Sequence, residues 1–304
     1  MRRFLVVLAL AGLVAAAFAA WGIAAPWSGA GREEASSAAK LPALPFDVKE
    51  RKRWRIGVKC DFPPFGYIGA DGKKGGYDVD VARRFAQIAF GKTNRVTLEC
   101  VTTPSRIPAL MSKRVDIIIS TLTYTAQRDE QIDFSIPYYD ATGRLLVRND
   151  TNIPNLGALS GKTVVTTRGS IYDRWVRNCF KGSNLLVLDS TTSATLALKD
   201  RRADTFMFDD ALLLGIAAND SQLKLTSQKF LNIPWGIGIR QGETDMKAWV
   251  DAALRLMTKR DEFATILKKN APRRFWKEFL TNVPRPTGKK LVYPKVSDPA
   301  ELCP

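Results

Sequence analysis

Three hydroxyls and an arginine crowd one short stretch of the chain. Within Ser120-Thr121-Leu122-Thr123-Tyr124-Thr125-Ala126-Gln127-Arg128, the threonines alternate and the arginine follows three residues after the last of them. The stretch continues a short apolar run, Val115 to Ile119, that reads as a buried strand of a parallel sheet. The charged segment beyond it, Ala126 to Gln131, reads as a helix that Thr125 is placed to cap. Hydroxyls, free backbone N–H groups and a guanidinium are thus delivered to the carboxyl end of a strand, where open α/β sheets bind ligands. The chemistry on offer is recognition of an anion. Unpaired N–H groups at a helix start favour negative charge, and a guanidinium can hold a carboxylate through two parallel hydrogen bonds. The same residues would serve equally as a capped helix with a solvated arginine, and this stretch alone leaves both readings open.

The elements that must position it alternate between strand and helix. Trp54 to Lys59 predicts a strand, and Cys60-Asp61-Phe62-Pro63-Pro64-Phe65 a loop that its prolines keep out of helix and sheet. Asp71 to Gly76 is turn chemistry. Asp78 is placed to cap a helix whose apolar residues Val79, Ala82, Phe85, Ala86 and Ala89 recur at helical spacing. Arg95 to Val101 is the next strand and Ser105 to Ser112 a short helix. Beyond Asp140 the plan repeats: strands at Thr163–Thr167, Leu185–Leu188 and Thr205–Phe208 alternate with helices at Ile171–Phe180, Thr191–Lys199 and Ala211–Ala218. The loop Arg168-Gly169-Ser170 and the pair Asp209-Asp210 lie at the carboxyl ends of two of those strands. Such alternation implies parallel sheets with right-handed crossovers. Trp235 to Arg240 reads as a returning strand, followed by amphipathic helices over Asp245–Thr258 and Glu262–Asn270.

The 304 residues suffice for two ordinary domains, and 45% hydrophobic with 25% charged residues is a globular balance. The net charge of +16 comes from scattered bases without the interleaved basic and aromatic pattern of a nucleic-acid binder, so no nucleic-acid partner is expected. The chain has no histidine, which removes the commonest general base and the commonest metal ligand. No metal and no cofactor is expected. Residues 1–19 read as a cleaved export signal, with Arg2 and Arg3 ahead of the apolar run Phe4 to Phe18. An uncleaved anchor reaching to Pro26 is the rival reading. Either way the folded part is expected outside the cytoplasm, in the periplasm. Residues 20–48, rich in Ala, Ser, Gly and Pro, read as a flexible linker.

Taken in order, Asp61-Phe62-Pro63-Pro64-Phe65, Gly76-Tyr77-Asp78-Val79-Asp80, Arg106-Ile107-Pro108-Ala109-Leu110, Val115 to Ser120, Thr125-Ala126-Gln127-Arg128 and Asp133-Phe134-Ser135-Ile136-Pro137-Tyr138-Tyr139 resemble the family 3 extracellular solute-binding proteins. These are the polar amino-acid receptors of ABC importers. The resemblance covers roughly Trp54 to Leu280. It implies an α/β, two-lobed periplasmic-binding-protein (type II) fold: two mostly parallel sheets flanked by helices, joined by two hinge crossings, with the ligand in the cleft. Lobe 1 is then 49–143 plus 241–282, lobe 2 is 144–240, and 283–304 is an extended tail. The crossings are expected near Arg144–Asp150 and Pro234–Gln241. By the same resemblance Arg128 grips an α-carboxylate, Thr121 and Thr123 contact the carboxylate and ammonium, Asp209 takes the ammonium, and Ser170 with Gly169 closes on the carboxylate. Many members carry an aromatic residue where this chain has Thr103, while Phe62 keeps the opposite wall. Lys59, Thr103 and Arg106 instead resemble the glutamate/aspartate subgroup, whose basic residues face a second carboxylate. Lys59 and Arg106 could otherwise be a solvated rim or an internal salt bridge.

The implied partners are an amino-acid ligand and the permease of an ABC importer, with the receptor a monomer. Two other classes share parts of this pattern. An enzyme on this scaffold, resembling the cyclohexadienyl dehydratases, would use Asp209 as general acid, but the zwitterion-binding set argues against it. A sensor ectodomain would need a further membrane or signalling segment. Cys60, Cys100, Cys179 and Cys303 permit three disulfide pairings in an oxidising compartment. Cys60 with Cys100, ending the first two strands, is the first expectation, and Cys179 with Cys303 would pin the tail.

Overall fold

A computed structural model describes residues 41–294 and 298–304, so the export signal and most of the linker lie outside the described residues. The folded body begins earlier than the sequence reading placed it. Phe46–Arg51 is a helix that buries Val48, so the last residues assigned to the linker already belong to the core.

Two sheets organise the body. The first has the order Val96–Cys100, Trp54–Val58, Ile117–Thr123, Trp235–Arg240, Ile132–Phe134. The second has the order Asn184–Leu188, Thr163–Thr167, Thr205–Asp209, Thr142–Arg148, Leu223–Leu225, with Phe230–Asn232 also paired to Thr142–Arg148. In each sheet one strand runs against all the others, Trp235–Arg240 in the first and Thr142–Arg148 in the second. The sheets are therefore mixed. The reason is topological: a strand arriving from the other lobe enters at the opposite end from a strand fed by a helical crossover.

Strand membership also locates the crossings. Trp235–Arg240, expected at the end of the second lobe, pairs with Ile117–Thr123 and Ile132–Phe134 in the first sheet. Thr142–Arg148 is already a strand of the second sheet. The chain thus leaves the first sheet through residues 139–142 and returns through 232–235, a few residues before each expected position. The two segments run side by side: the Ile233 amide donates to the Ala141 carbonyl at 2.9 Å and the Trp235 amide to that of Tyr139 at 2.8 Å. The Tyr139 and Trp235 rings stack at 4.5 Å, and Phe65 packs edge-on to both.

Helix Tyr77–Phe90 covers one face of the first sheet through Val79, Ala82, Phe85 and Ala86. Its N-cap is Gly76, with φ +120°, where a Cβ would meet the Phe65 carbonyl at 2.3 Å, so only glycine fits. Asp78, expected as the cap, is instead inside the first turn and fully buried. Its carboxylate accepts the amide of Thr121 at 3.0 Å.

Both disulfides follow the expected pairing, Cys60–Cys100 and Cys179–Cys303. The tail is not loose. Tyr293 stacks on Tyr124 at 4.2 Å and donates its hydroxyl to the Ser135 carbonyl at 2.6 Å, on the first-sheet side. Further on, Asp298 pairs with Arg174 at 2.5 Å and the Leu302 carbonyl accepts from the Trp175 indole at 2.8 Å, both on helix Ile171–Cys179 of the second-sheet side. Closing a 124-residue loop through Cys179–Cys303 removes unfolded-chain entropy worth about 4–5 kcal/mol in the chain-entropy account.

Candidate functional site

The carboxyl ends of strands from the two sheets face each other across the cleft. Ile117–Thr123 delivers Thr121 and Thr123 from the first sheet, and the four-residue helix Ala126–Asp129 delivers Arg128. Thr125 caps that helix as expected, accepting the Arg128 amide at 3.1 Å. Helix Arg106–Met111 contributes Arg106. From the second sheet, Thr205–Asp209 ends in Asp209, and Ser170 caps helix Ile171–Cys179 through the Asp173 amide at 3.2 Å.

These residues line one small cavity: Thr103, Arg106, Thr121, Thr123, Arg128, Ser170 and Asp209, together with Ile171, Tyr172 and Phe208.

The site is short of negative charge. Arg128 donates to the carbonyls of Thr123 at 2.7 Å and Gly169 at 2.8 Å, the second bond crossing the cleft. Arg106 donates to the carbonyls of Ser120 at 2.9 Å and Thr121 at 3.2 Å. Among the described residues neither guanidinium has a carboxylate within ion-pair distance. Burial pulls the pKa of Arg128 down to about 9, helped by the nearby charge of Arg106, and burial pulls Arg106 down to about 10. Both therefore remain cations at neutral pH, and both are strained as cations by loss of water. Asp209 is the acid in the lining; it accepts the Tyr172 hydroxyl at 2.8 Å, and burial raises its pKa to about 7.

Thr121 carries backbone strain. Its φ is +50°, a left-handed conformation unusual for a β-branched residue. Asp78 and the Tyr138 hydroxyl both take its amide, at 3.0 and 3.1 Å, and hold it there. The strained turn directs the Thr121 carbonyl to Arg106. Strain maintained by a buried carboxylate marks a place where geometry matters more than local stability.

Three expected residues stand apart from the cavity lining. Phe62 lies behind it, its ring 5.9 Å from that of Phe208 and 5.8 Å from that of Trp235. Gly169, at φ +72°, meets Arg128 through its carbonyl. Lys59 is buried in an internal salt bridge with Asp61 at 2.9 Å, 3.3 Å from the Thr103 hydroxyl. Asp210 turns away from the cavity and accepts from the amide and hydroxyl of Thr142 at 3.3 and 2.8 Å, at the outgoing crossing. Tyr172 and Phe208 were not foreseen, although each lies within two residues of an expected one. Among the described residues no cluster of three acids or cysteines could ligate a metal.

Two lobes with a small, charged cavity between them are the architecture of a solute-binding protein. The sequence profile of the bacterial extracellular solute-binding proteins, family 3, matches residues 54–272, and the chain belongs to that family. The ABC transporter glutamine-binding protein of Bacillus subtilis is 30% identical over 78% of this chain and 87% of its own. The L-glutamate/L-aspartate-binding protein of Pseudomonas aeruginosa is 31% identical over 68% and 72%. Among solved structures, the cysteine-binding protein of Campylobacter jejuni superposes with a TM-score of 0.71 at 29% identity, over 74% of this chain and 91% of that one. All three are named as binding proteins. The chain is a receptor and not an enzyme, and the dehydratase reading is set aside.

Proposed function

We propose that this protein is the periplasmic receptor of an ABC importer for an acidic amino acid, glutamate or aspartate, delivered by cleft closure. One observation carries the reading: two buried guanidiniums and one carboxylate line a single cavity, and neither guanidinium has an acid partner among the described residues. A zwitterion alone would leave one cation unmatched, and an unpaired buried charge costs several kcal/mol. A ligand with a second carboxylate completes the set. Arg128, Thr121 and Thr123 hold its α-carboxylate, Asp209 its ammonium and Arg106 its distal carboxylate. Ser170 closes over the α-carboxylate. Thr103 leaves room where an aromatic wall would favour flat or cationic side chains. Export by the N-terminal signal and docking of a monomeric receptor on a membrane permease belong to the same reading. The relatives' names span glutamine, cystine, arginine and glutamate/aspartate, so the decision falls to competition. Calorimetry on the mature chain should show glutamate or aspartate displacing glutamine. Preference for glutamine, cystine or arginine would overturn the acidic assignment.

The role of Asp209 makes a pH prediction. Burial raises its pKa to about 7, above the value in an unfolded chain. The empty folded protein therefore keeps a proton that the unfolded chain has released. Stability from this group is present at low pH and is lost as pH rises from the ordinary carboxylate range through about 7. A ligand ammonium favours the charged form, so binding expels the proton, and affinity should climb from pH 5 and level off above about 7. Calorimetry in buffers of different ionisation enthalpy would count that proton. Asp78, also raised to about 7 by burial, titrates in the same range, so the variant decides. Asp209→Asn should abolish the proton release and weaken α-amino acids far more than succinate or glutarate. Equal weakening of both ligand classes would make Asp209 a structural residue.

A further inference from the structure

We infer that Asp61 is a positioning residue that ties the ligand-side base Lys59 to the opposite lobe and latches the closed cleft. Its two carboxylate oxygens face different partners. Oδ1 lies 2.9 Å from the Lys59 Nζ, and Lys59 in turn reaches the cavity-lining Thr103 hydroxyl at 3.3 Å. Oδ2 accepts the Thr191 amide at 3.0 Å and the Thr191 hydroxyl at 3.0 Å, and the Asp61 carbonyl accepts that hydroxyl as well.

The two ends of this relay belong to different lobes. Asp61 lies in the two-residue strand Asp61–Phe62, next to the Cys60–Cys100 disulfide that fixes it to the first sheet. Thr191 opens helix Thr191–Lys199, which packs on strands Thr163–Thr167, Asn184–Leu188 and Thr205–Asp209 of the second sheet. Bonds between them exist only while the lobes are together. Burial works against the Asp61 charge, yet Lys59 and the Thr191 donors hold its carboxyl below the ordinary range, so it is ionised and its hydrogen bonds are charge-assisted. Contacts made in the closed form and absent from the open one shift the equilibrium by their own free energy.

The pairing also assigns Lys59 a different task from Arg106. Asp61 neutralises Lys59 beside the cavity, so Lys59 holds Thr103 and Asp61 in place while Arg106 supplies the net positive charge. The inference rests on the receptor reading but not on which amino acid is bound.

The test separates the two. Stopped-flow binding would use whichever of glutamate, aspartate, glutamine, cystine or arginine binds the parent tightest, so a wrong acidic assignment changes the probe and leaves the latch measurable. Thr191→Val removes the hydroxyl donor. Thr191→Pro removes the amide donor as well, at the first helical position, which accepts proline, and behind Ser190, whose φ of −135° and ψ of 155° suit a residue preceding proline. Asp61→Asn removes the charge. Each should raise the ligand dissociation rate about tenfold or more, the scale of a charge-assisted hydrogen bond, with the association rate unchanged; the unliganded melting temperature should hold in the Thr191 variants and fall in Asp61→Asn, which leaves the buried Lys59 without a carboxylate. The double variant Asp61→Asn, Thr191→Val should exceed the larger single effect by less than twofold, because both remove one interaction. Dissociation rates within twofold of the parent in all variants would overturn the latch. So would a fall in association rate equal to the rise in dissociation, or additive double-variant effects.

Discussion

Arg128→Ala should abolish tight ligand binding while leaving a folded protein. The side chain is held by the Thr123 carbonyl on its own lobe and, across the closed cleft, by the Gly169 carbonyl of the other. Loss of a desolvated, charge-assisted partner costs about 2–5 kcal/mol, or roughly 1.5 to 3.5 decades of affinity. The unliganded chain should not suffer in the same way. Burial with only carbonyl partners already pulls Arg128 down to about 9, so its removal relieves a desolvated cation. Its melting temperature should hold or rise, the usual trade between a binding site and stability. Calorimetry giving affinity within a few-fold of the parent would remove Arg128 from the carboxylate-binding role.

Arg106→Met should erase most of the preference for an acidic ligand over its amide. In the parent, glutamate should bind more tightly than glutamine by about 2 kcal/mol or more, on the scale of hydrogen bonds to charged groups. Only one nitrogen of Arg106 is engaged by the protein among the described residues, through the Ser120 and Thr121 carbonyls. The remaining donors are left for a ligand that lines up along the cavity. The substitution should therefore weaken glutamate by roughly thirtyfold and leave glutamine nearly unchanged. A uniform loss for both ligands would mean that Arg106 acts through the strained Thr121 turn rather than on the distal carboxylate. A titration series with the acid–amide pairs glutamate/glutamine and aspartate/asparagine would distinguish these outcomes.

The residues that could be found in the sequence share one property: each lies at the end of a strand or opens a helix, where local pattern determines position. Thr121, Thr123 and Arg128 follow an apolar run, and Asp209 ends another. Ser170 precedes a helix that it does cap. Lys59 shows where pattern needed a second step. In an extended segment, residues two apart share a side, so Asp61 was the nearest partner for Lys59 from the start. Pattern could not decide whether that pair would turn inward. Tyr172 reaches Asp209 from the first turn of a helix on a different element, a meeting set by packing between elements and invisible to spacing within either. The crossings were displaced for a related reason: Trp235–Arg240 reads as a strand either way, and only its pairing in the first sheet shows which lobe owns it.

The docked tail also bears on the entropy of the empty receptor. Tyr293 is fastened to one lobe and Asp298 to the other, five residue steps on, with Cys303 bonded to Cys179 beyond. Five extended residues reach at most roughly 18 Å, so while both anchors hold, the aperture of the cleft has a covalent upper bound that two hinge strands alone would not impose. In the proposed cleft-closing cycle, an open state confined in this way has fewer arrangements to lose on closing. The tether thus acts on affinity as a crosslink acts on folding, by narrowing the ensemble that competes with the bound form.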